Sequence, residues 1–248
     1  MNVQMGANEN KGPPPSRDLY HLSAQSWNAK FAAGNHYATD RPFAGLVERI
    51  AELRRRSLTR VADLGCGDGR NLALLCSLAP HVVGLDYAEQ ALRRVGRHPD
   101  VAGATPNLVR GDIGRLPFRS ASLDAAVSVW TMNHGADADI RRYIAEMVRI
   151  LRPGGIVFAS ITGWNLLLAV ALRFVARRVR DASLDGHTYV LDFRSEKGVH
   201  HFFTRREIAV YFRDWRIVRL DRRRYRTESP IPVPFWNLLA EKRRGAGC

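Results

Sequence analysis

Cysteine is scarce. Cys66, Cys76 and Cys248 are the three in 248 residues, and no two of them form a C-x-x-C pair. That excludes a disulfide framework, and the eight histidines do not cluster at zinc-ligand spacing, so no metal is expected. The start of the chain lacks the apolar core of a signal peptide, which with the few cysteines favours a reduced, cytoplasmic setting over export. No apolar run is long enough to span a bilayer. Lysine is also rare: four of the 38 basic residues are Lys11, Lys30, Lys197 and Lys242, and the rest are arginine.

The formal charge is +14, and it is unevenly placed. Residues 1–140 carry a net +2 and residues 141–248 a net +12. A basic half of that kind fits a nucleic acid or an anionic membrane surface. An arginine excess of this kind also follows from base composition, so charge alone leaves both readings open.

The chain is organised around Val61-Ala62-Asp63-Leu64-Gly65-Cys66-Gly67-Asp68-Gly69-Arg70. A short apolar strand runs into three alternating glycines, and Asn71-Leu72-Ala73-Leu74-Leu75 continues as a helix. Glycines at this spacing let the backbone turn sharply and approach a ligand closely. The first amides of the helix then face the turn. A tight turn without any ligand is the plain alternative.

The rest of the chain weighs on that choice. Residues 1–17, with Gly12-Pro13-Pro14-Pro15, read as a disordered tail ahead of a single domain over 18–248. Residues 18–45 are aromatic and read as a lid or a sheet cap, with Trp27 and Tyr37 as candidates to cover a ligand. Apolar residues over 43–56 recur at helical spacing. The strand His81–Asp86 ends in an acid, where a carboxylate can accept from both hydroxyls of a ribose. The strand 108–113 has Asp112 at its exit, and 125–130 is a uniformly apolar, buried strand. A helix over 138–151 and a strand over 156–161 follow. Alternating strands and helices predict a parallel sheet with helices on both faces, and ligands at the carboxyl ends of its strands. Gly65–Gly69, Asp86, Asp112 and Trp130–His134 all fall on that edge.

Beyond Gly163, residues 163–180 read as an apolar helix turning basic. It suits either a membrane surface or the wall of an apolar pocket. Residues 164–203 read as a substrate-side insertion. Thr204 and Glu207 form a capping box that starts a helix over 205–213. His200 and His201 point to opposite faces of a strand, so they make a poor metal pair, and at most one faces a pocket. Strands over 215–221 and 235–241 close the chain.

In Val61–Asn71, Gly84-Leu85-Asp86-Tyr87-Ala88, Gly111-Asp112-Ile113, Leu116-Pro117-Phe118, Leu123-Asp124 and Leu151-Arg152-Pro153-Gly154-Gly155, the chain resembles the class I S-adenosylmethionine-dependent methyltransferases of type 11. The resemblance implies an α/β, Rossmann-like sheet of seven strands, mostly parallel, the last antiparallel. It implies S-adenosyl-L-methionine as cofactor and S-adenosyl-L-homocysteine as product. It carries the methionine portion to Asp63 and the Gly65–Gly69 turn, with Cys66, Gly67, Arg70 and Asn71 around it. It carries the ribose to Asp86, and the adenine to Tyr87, Asp112 and Ile113. Ser128 and Val129 lie beneath the cofactor. The residues agree with that ligand: carboxylates match an ammonium, a sulfonium, ribose hydroxyls and an adenine amine, and no basic residue is set for a pyrophosphate.

His134 is the candidate general base, or else a pocket wall. Trp27, Tyr37, Trp130, Asn133, Trp164 and His201 are the candidate acceptor contacts. The expected acceptor is an O, N or S atom of a small molecule, with no role for DNA and with peripheral membrane contact left open. The alternative acceptor is RNA: Met132–Asp137 is similar to tRNA wobble-uridine carboxyl methyltransferases. A non-catalytic cofactor-binding regulator is the remaining class.

Overall fold

The computed structural model describes residues 17–34, 41–97, 101, 105–178, 187–193, 196–225 and 233–244. The expected tail, apart from Arg17, and the candidate Tyr37 lie outside the described residues.

The chain runs through α1 (Arg17–Ala32), α2 (Ala44–Val47) and α3 (Ile50–Arg54) into β1 (Arg60–Leu64). It continues through α4 (Leu72–Cys76), β2 (His81–Asp86), α5 (Glu89–Val95), β3 (Asn107–Arg110), β4 (Leu123–Val129), α6 (Asp137–Ile150) and β5 (Leu151–Thr162). After these come α7 (Leu166–Val175), β6 (Ala176–Arg178), β7 (Thr188–Phe193), β8 (Glu196–His201), α8 (Arg205–Tyr211), β9 (Trp215–Arg224) and β10 (Pro234–Lys242).

Seven strands form one sheet in the order β3-β2-β1-β4-β5-β10-β9. β1, β2, β3, β4 and β5 pair in parallel, and β10 runs antiparallel to both β5 and β9. This is the mostly parallel sheet with an antiparallel last strand that the sequence implies. β4 is buried along its whole length, as a central strand covered on both faces must be. One core lies on each face: Leu64, Met132, Ile140, Met147 and Phe212 on one, Leu46, Leu72, Val127 and Phe158 on the other.

Two local expectations change. The helix expected over 43–56 is two short helices. Arg49, at the break, is drawn to Asp221 of β9 at 2.5 Å, and Val47 turns outward at 44% exposure. The helix expected over 163–180 ends at Val175. The chain then pairs as β6 with β7, and β7 pairs with β8, in a separate three-stranded antiparallel sheet. Backbone pairing with β7 outweighs the local helical preference of the arginine-rich stretch. The insertion expected over 164–203 is therefore a helix and a small sheet.

The capping box is present in full. Glu207 accepts the Thr204 N–H at 2.6 Å, and Thr204 Oγ1 accepts the Glu207 N–H at 3.1 Å. The Glu207 carboxylate is also 3.3 Å from His187 Nδ1 and 3.6 Å from His201 Nε2. Burial pushes its pKa up, but the hydrogen bonds from His187 and Thr204 and the nearby His201 outweigh that and hold it at about 2. Burial likewise keeps His201 neutral, with its pKa lowered to about 4 despite the facing Glu207.

Candidate functional site

The cleft lies at the carboxyl ends of β1, β2, β3 and β4, under α1. Each strand supplies a piece as it leaves the sheet. β1 leads into Gly65, Gly67 and Gly69, which all have positive φ (79°, 58° and 99°). That backbone is open to glycine and costly for other residues. The turn is anchored to β2, because the Gly65 and Cys66 amides both donate to the Leu85 carbonyl, at 2.7 and 3.0 Å.

Asp86, at the end of β2, accepts the Gly67 N–H at 2.9 Å and the Ala88 N–H at 2.8 Å. Burial raises its pKa to about 6, even though those amides favour the charged form. Asp63 lies below the turn with no exposed surface, and neither carboxylate oxygen has a hydrogen-bond partner. Burial is the main cause of its pKa of about 7. The Asp86 charge pushes the same way, and Arg70 and Asn71 pull against it. An unpartnered buried carboxylate is a cost unless a ligand supplies the missing donors. The Cys66 thiol is pushed far up by burial and by Asp86 and Asp63, so this side chain serves as a small neutral wall.

The adenine side is formed by Tyr87, Gly111, Asp112 and Ile113. Asp112 is held by the Gly114 amide at 2.8 Å. The opposite wall is aromatic. Trp27 meets His134 edge-on, with ring centroids 5.1 Å apart, and Phe31 sits 6.1 Å from Trp27. Trp130 has φ 60°, a strained backbone for so large a residue, at the exit of β4. The Arg70 guanidinium lies 4.7 Å from its ring centroid and 5.7 Å from that of Phe43. α1 is pinned over the cleft by Asn28 Oδ1, which accepts the Gln90 N–H at 3.1 Å.

Thirteen sequence candidates line this cleft: Trp27, Gly65, Cys66, Gly67, Arg70, Asn71, Asp86, Tyr87, Asp112, Ile113, Val129, Trp130 and His134. Asp63 and Ser128 are fully buried beneath it. Asn133 is buried behind the wall, with Nδ2 3.3 Å from His134 Nε2. Trp164 stands apart, packed on His187 at 4.4 Å and stacked with Tyr189 at 5.9 Å. His201 turns away to Thr188 Oγ1 at 2.8 Å, and its neighbour His200 faces the His134 ring at 4.6 Å. Alternation along β8 required one histidine toward the cleft and one away, and packing selects His200.

Phe31, Thr131 and Tyr143 also line the cleft. Phe31 was legible as the residue four after Trp27 on one helix face. Nothing in the local pattern marks Thr131 or Tyr143, which tertiary packing brings in.

The site fits S-adenosylmethionine on its own evidence. It has a glycine cradle, a buried carboxylate pair lacking donors, and a third carboxylate beside an aromatic slot. Residues 61–155 match the family model described as "Methyltransferase domain". The chain belongs to the class I S-adenosylmethionine-dependent methyltransferases, and S-adenosylmethionine is its cofactor.

The chain is 34% identical over 101 residues to a probable S-adenosylmethionine-dependent methyltransferase of Mycolicibacterium smegmatis, a match covering 40% of this chain and 37% of that one. It thus spans well under two thirds of that relative's length. It is 28% identical over 198 residues to the demethylmenaquinone methyltransferase of Symbiobacterium thermophilum, covering 70% of this chain and 75% of that one. Among solved structures, the Burkholderia thailandensis 1,6-didemethyltoxoflavin-N1-methyltransferase, bound to 1,6-didemethyltoxoflavin and S-adenosylhomocysteine, shares the fold with a TM-score of 0.65 at 17% identity, over 98% of this chain and 93% of that one.

Proposed function

We propose that this protein methylates an O, N or S atom of a small molecule with a flat, ring-bearing body. The observation that carries this reading is the acceptor wall, where Trp27, Phe31, Trp130, His134 and Tyr143 face the cofactor cleft beneath α1. Such a wall offers stacking area and few charges, which suits an enclosed ring. The RNA alternative draws less support. Several arginines of β9 are engaged within the fold: Arg216 with Glu241 at 2.5 Å, Arg223 with Glu48 at 3.5 Å, and Arg222 over the Trp236 ring at 5.5 Å.

In this reading, Asp63 faces the cofactor's ammonium end and Asp86 its ribose, while Asp112 and Tyr87 hold the base. Bound there, S-adenosylmethionine supplies an electrophilic methyl group on a sulfonium. Trp27 and Phe31 on α1 cover the cleft and exclude water. The aromatic wall holds the acceptor atom in line for displacement, the largest contribution a protein can make to this reaction.

His134 takes the acceptor proton where the acceptor has one to lose. Its Nε2 faces the Asn133 amide, and Asn133 Oδ1 has no hydrogen-bond partner. A half-turn of that amide puts the oxygen at Nε2. Nε2–H then donates, and Nδ1 is left to accept the proton. Tyr37, Trp164 and His201 remain candidates for acceptor contacts only if the bound acceptor reaches beyond the cleft lining.

Methyl-labelled cofactor, incubated with the protein and a cell extract, tests the acceptor class. Label is expected in the small-molecule fraction and unaffected by RNase; label lost on RNase treatment gives the acceptor role to RNA. On the acceptor so identified, His134→Ala is expected to lower turnover about 100-fold, as loss of a general base does. Calorimetry should find the affinity for S-adenosylhomocysteine nearly unchanged. An equal loss of both would make His134 a structural wall.

A further inference from the structure

α7 carries more apolar surface than the fold covers. Leu168 and Leu172 pack inward on Phe202, with Trp164, Tyr189 and Val233 around them. Leu166, Leu167 and Val170 point the other way, and they are 79%, 68% and 50% exposed. A helix that is apolar on both sides is ordinarily enclosed on both sides. Single exposed hydrophobics are common on surfaces, but three large ones within two turns of one helix form a patch.

The charge around this patch has one sign. Residues 163–180 contain Arg173, Arg177, Arg178 and Arg180 and no acidic residue. Arg173 falls seven positions after Leu166 and three after Val170, on the stripe those residues share. At the foot of the helix, exposed Arg222 donates to the Trp164 carbonyl at 3.2 Å. The cover that fits is apolar inside and anionic at its surface. A second copy of this chain fits poorly, since pairing the two faces would bring the arginines of both copies together. Among the described residues no helix is long and apolar enough to cross a membrane, so α7 would lie on a bilayer rather than through it.

We propose that the exposed face of α7 docks this protein on an anionic phospholipid surface. Leu166, Leu167 and Val170 enter the acyl boundary, and the neighbouring arginines meet the headgroup phosphates. α7 follows β5 at Gly163, on the same edge of the sheet as the cofactor cleft, so docking sets the cleft edge toward the lipid. The docking does not depend on the acceptor named above and is tested without turnover.

The experiment is co-sedimentation of the full chain with vesicles of phosphatidylcholine alone and of phosphatidylcholine with phosphatidylglycerol. Binding is expected to the anionic vesicles, weakened by high salt, and to be slight on the neutral ones. Combined Leu166→Gln, Leu167→Gln and Val170→Gln should reduce the bound fraction about tenfold. The variant's melting temperature and S-adenosylhomocysteine affinity should match the parent, which shows that it is folded. Two results would overturn the proposal: anionic vesicles that bind parent and variant equally or not at all, or a concentration-dependent dimer in analytical ultracentrifugation that the triple variant abolishes, which would assign this face to a second copy.

Discussion

Gly65→Ala is expected to unfold the glycine turn and abolish cofactor binding. Gly65 sits at φ 79°, which costs an L-residue about 1–2 kcal/mol. A Cβ there would overlap the Thr131 hydroxyl and methyl groups and come within 2.8 Å of the Thr131 Cβ. Thr131 is held close, because its Oγ1 lies 3.3 Å from the Val129 carbonyl and 3.5 Å from that of Gly65. The overlap therefore adds to the backbone strain, and a total loss of about 3 kcal/mol or more is expected. The control is Gly67→Ala. Gly67 is also left-handed, at φ 58°, but a Cβ there meets Phe31 Cζ at 3.4 Å, an ordinary contact. That variant should lose only about 1 kcal/mol of stability. It should still lose most affinity for S-adenosylhomocysteine, because the new methyl group faces the cleft. Urea denaturation and calorimetry on the two variants separate the effects. Equal stability losses would show that the Thr131 overlap is relieved by a simple shift.

Cofactor binding is expected to release protons and to weaken as the pH falls through 7. Asp63, at a pKa of about 7, and Asp86, at about 6, are raised chiefly by burial. A raised carboxyl group favours the folded protein at low pH, and that contribution is lost as the pH rises through the raised value. A cationic ligand reverses the preference, because its ammonium requires a carboxylate beside it. At pH 6.5 the two groups together hold about one proton in the free protein, and binding expels it. Affinity should fall about tenfold per unit just below pH 7 and more steeply below 6, where the second group joins. Above about 8 the ligand's own amino group loses its proton and the affinity declines again. Calorimetry with S-adenosylhomocysteine in buffers of different ionisation enthalpy measures the released proton directly. Asp63→Asn should lower the affinity about 100-fold at pH 7.5 and flatten the profile near 7, leaving the step near 6. Affinity that is flat from pH 6 to 8, with no proton released, would remove Asp63 from ligand contact.

The two predictions rest on different kinds of information. That Gly65, Gly67, Asp63 and Asp86 belong to one site follows from the sequence, because spacing and strand periodicity place all four at the exits of two adjacent parallel strands. Their unlike behaviour does not. The burial of Asp63 and the crowding of Gly65 by Thr131 depend on side chains 66 or more positions apart meeting above the sheet.

The acceptor side divides the same way. The aromatic run near Trp27 and the Trp130–His134 exit were legible, since each lies in one segment with a clear pattern. The histidine pair on β8 was legible only as a pair. Every residue from Val199 to Phe203 is buried, so alternation of burial cannot say which side faces the cleft. The arginine-rich stretch after Leu172 read as more helix, because local propensity does not register the partner strand β7 that captures it.

By itself the sequence determined the sheet, its order of parallel crossovers, the glycine turn and the three acids that select a cationic adenosyl ligand. These depend on local periodicity and on the geometry of successive β-α units. The tertiary structure decided which histidine meets His134, that Trp164 serves α7 rather than the cleft, and that α7 leaves half of its apolar surface uncovered. Those outcomes are set by contacts between segments remote in the chain, where burial and pairing outweigh what any one stretch prefers.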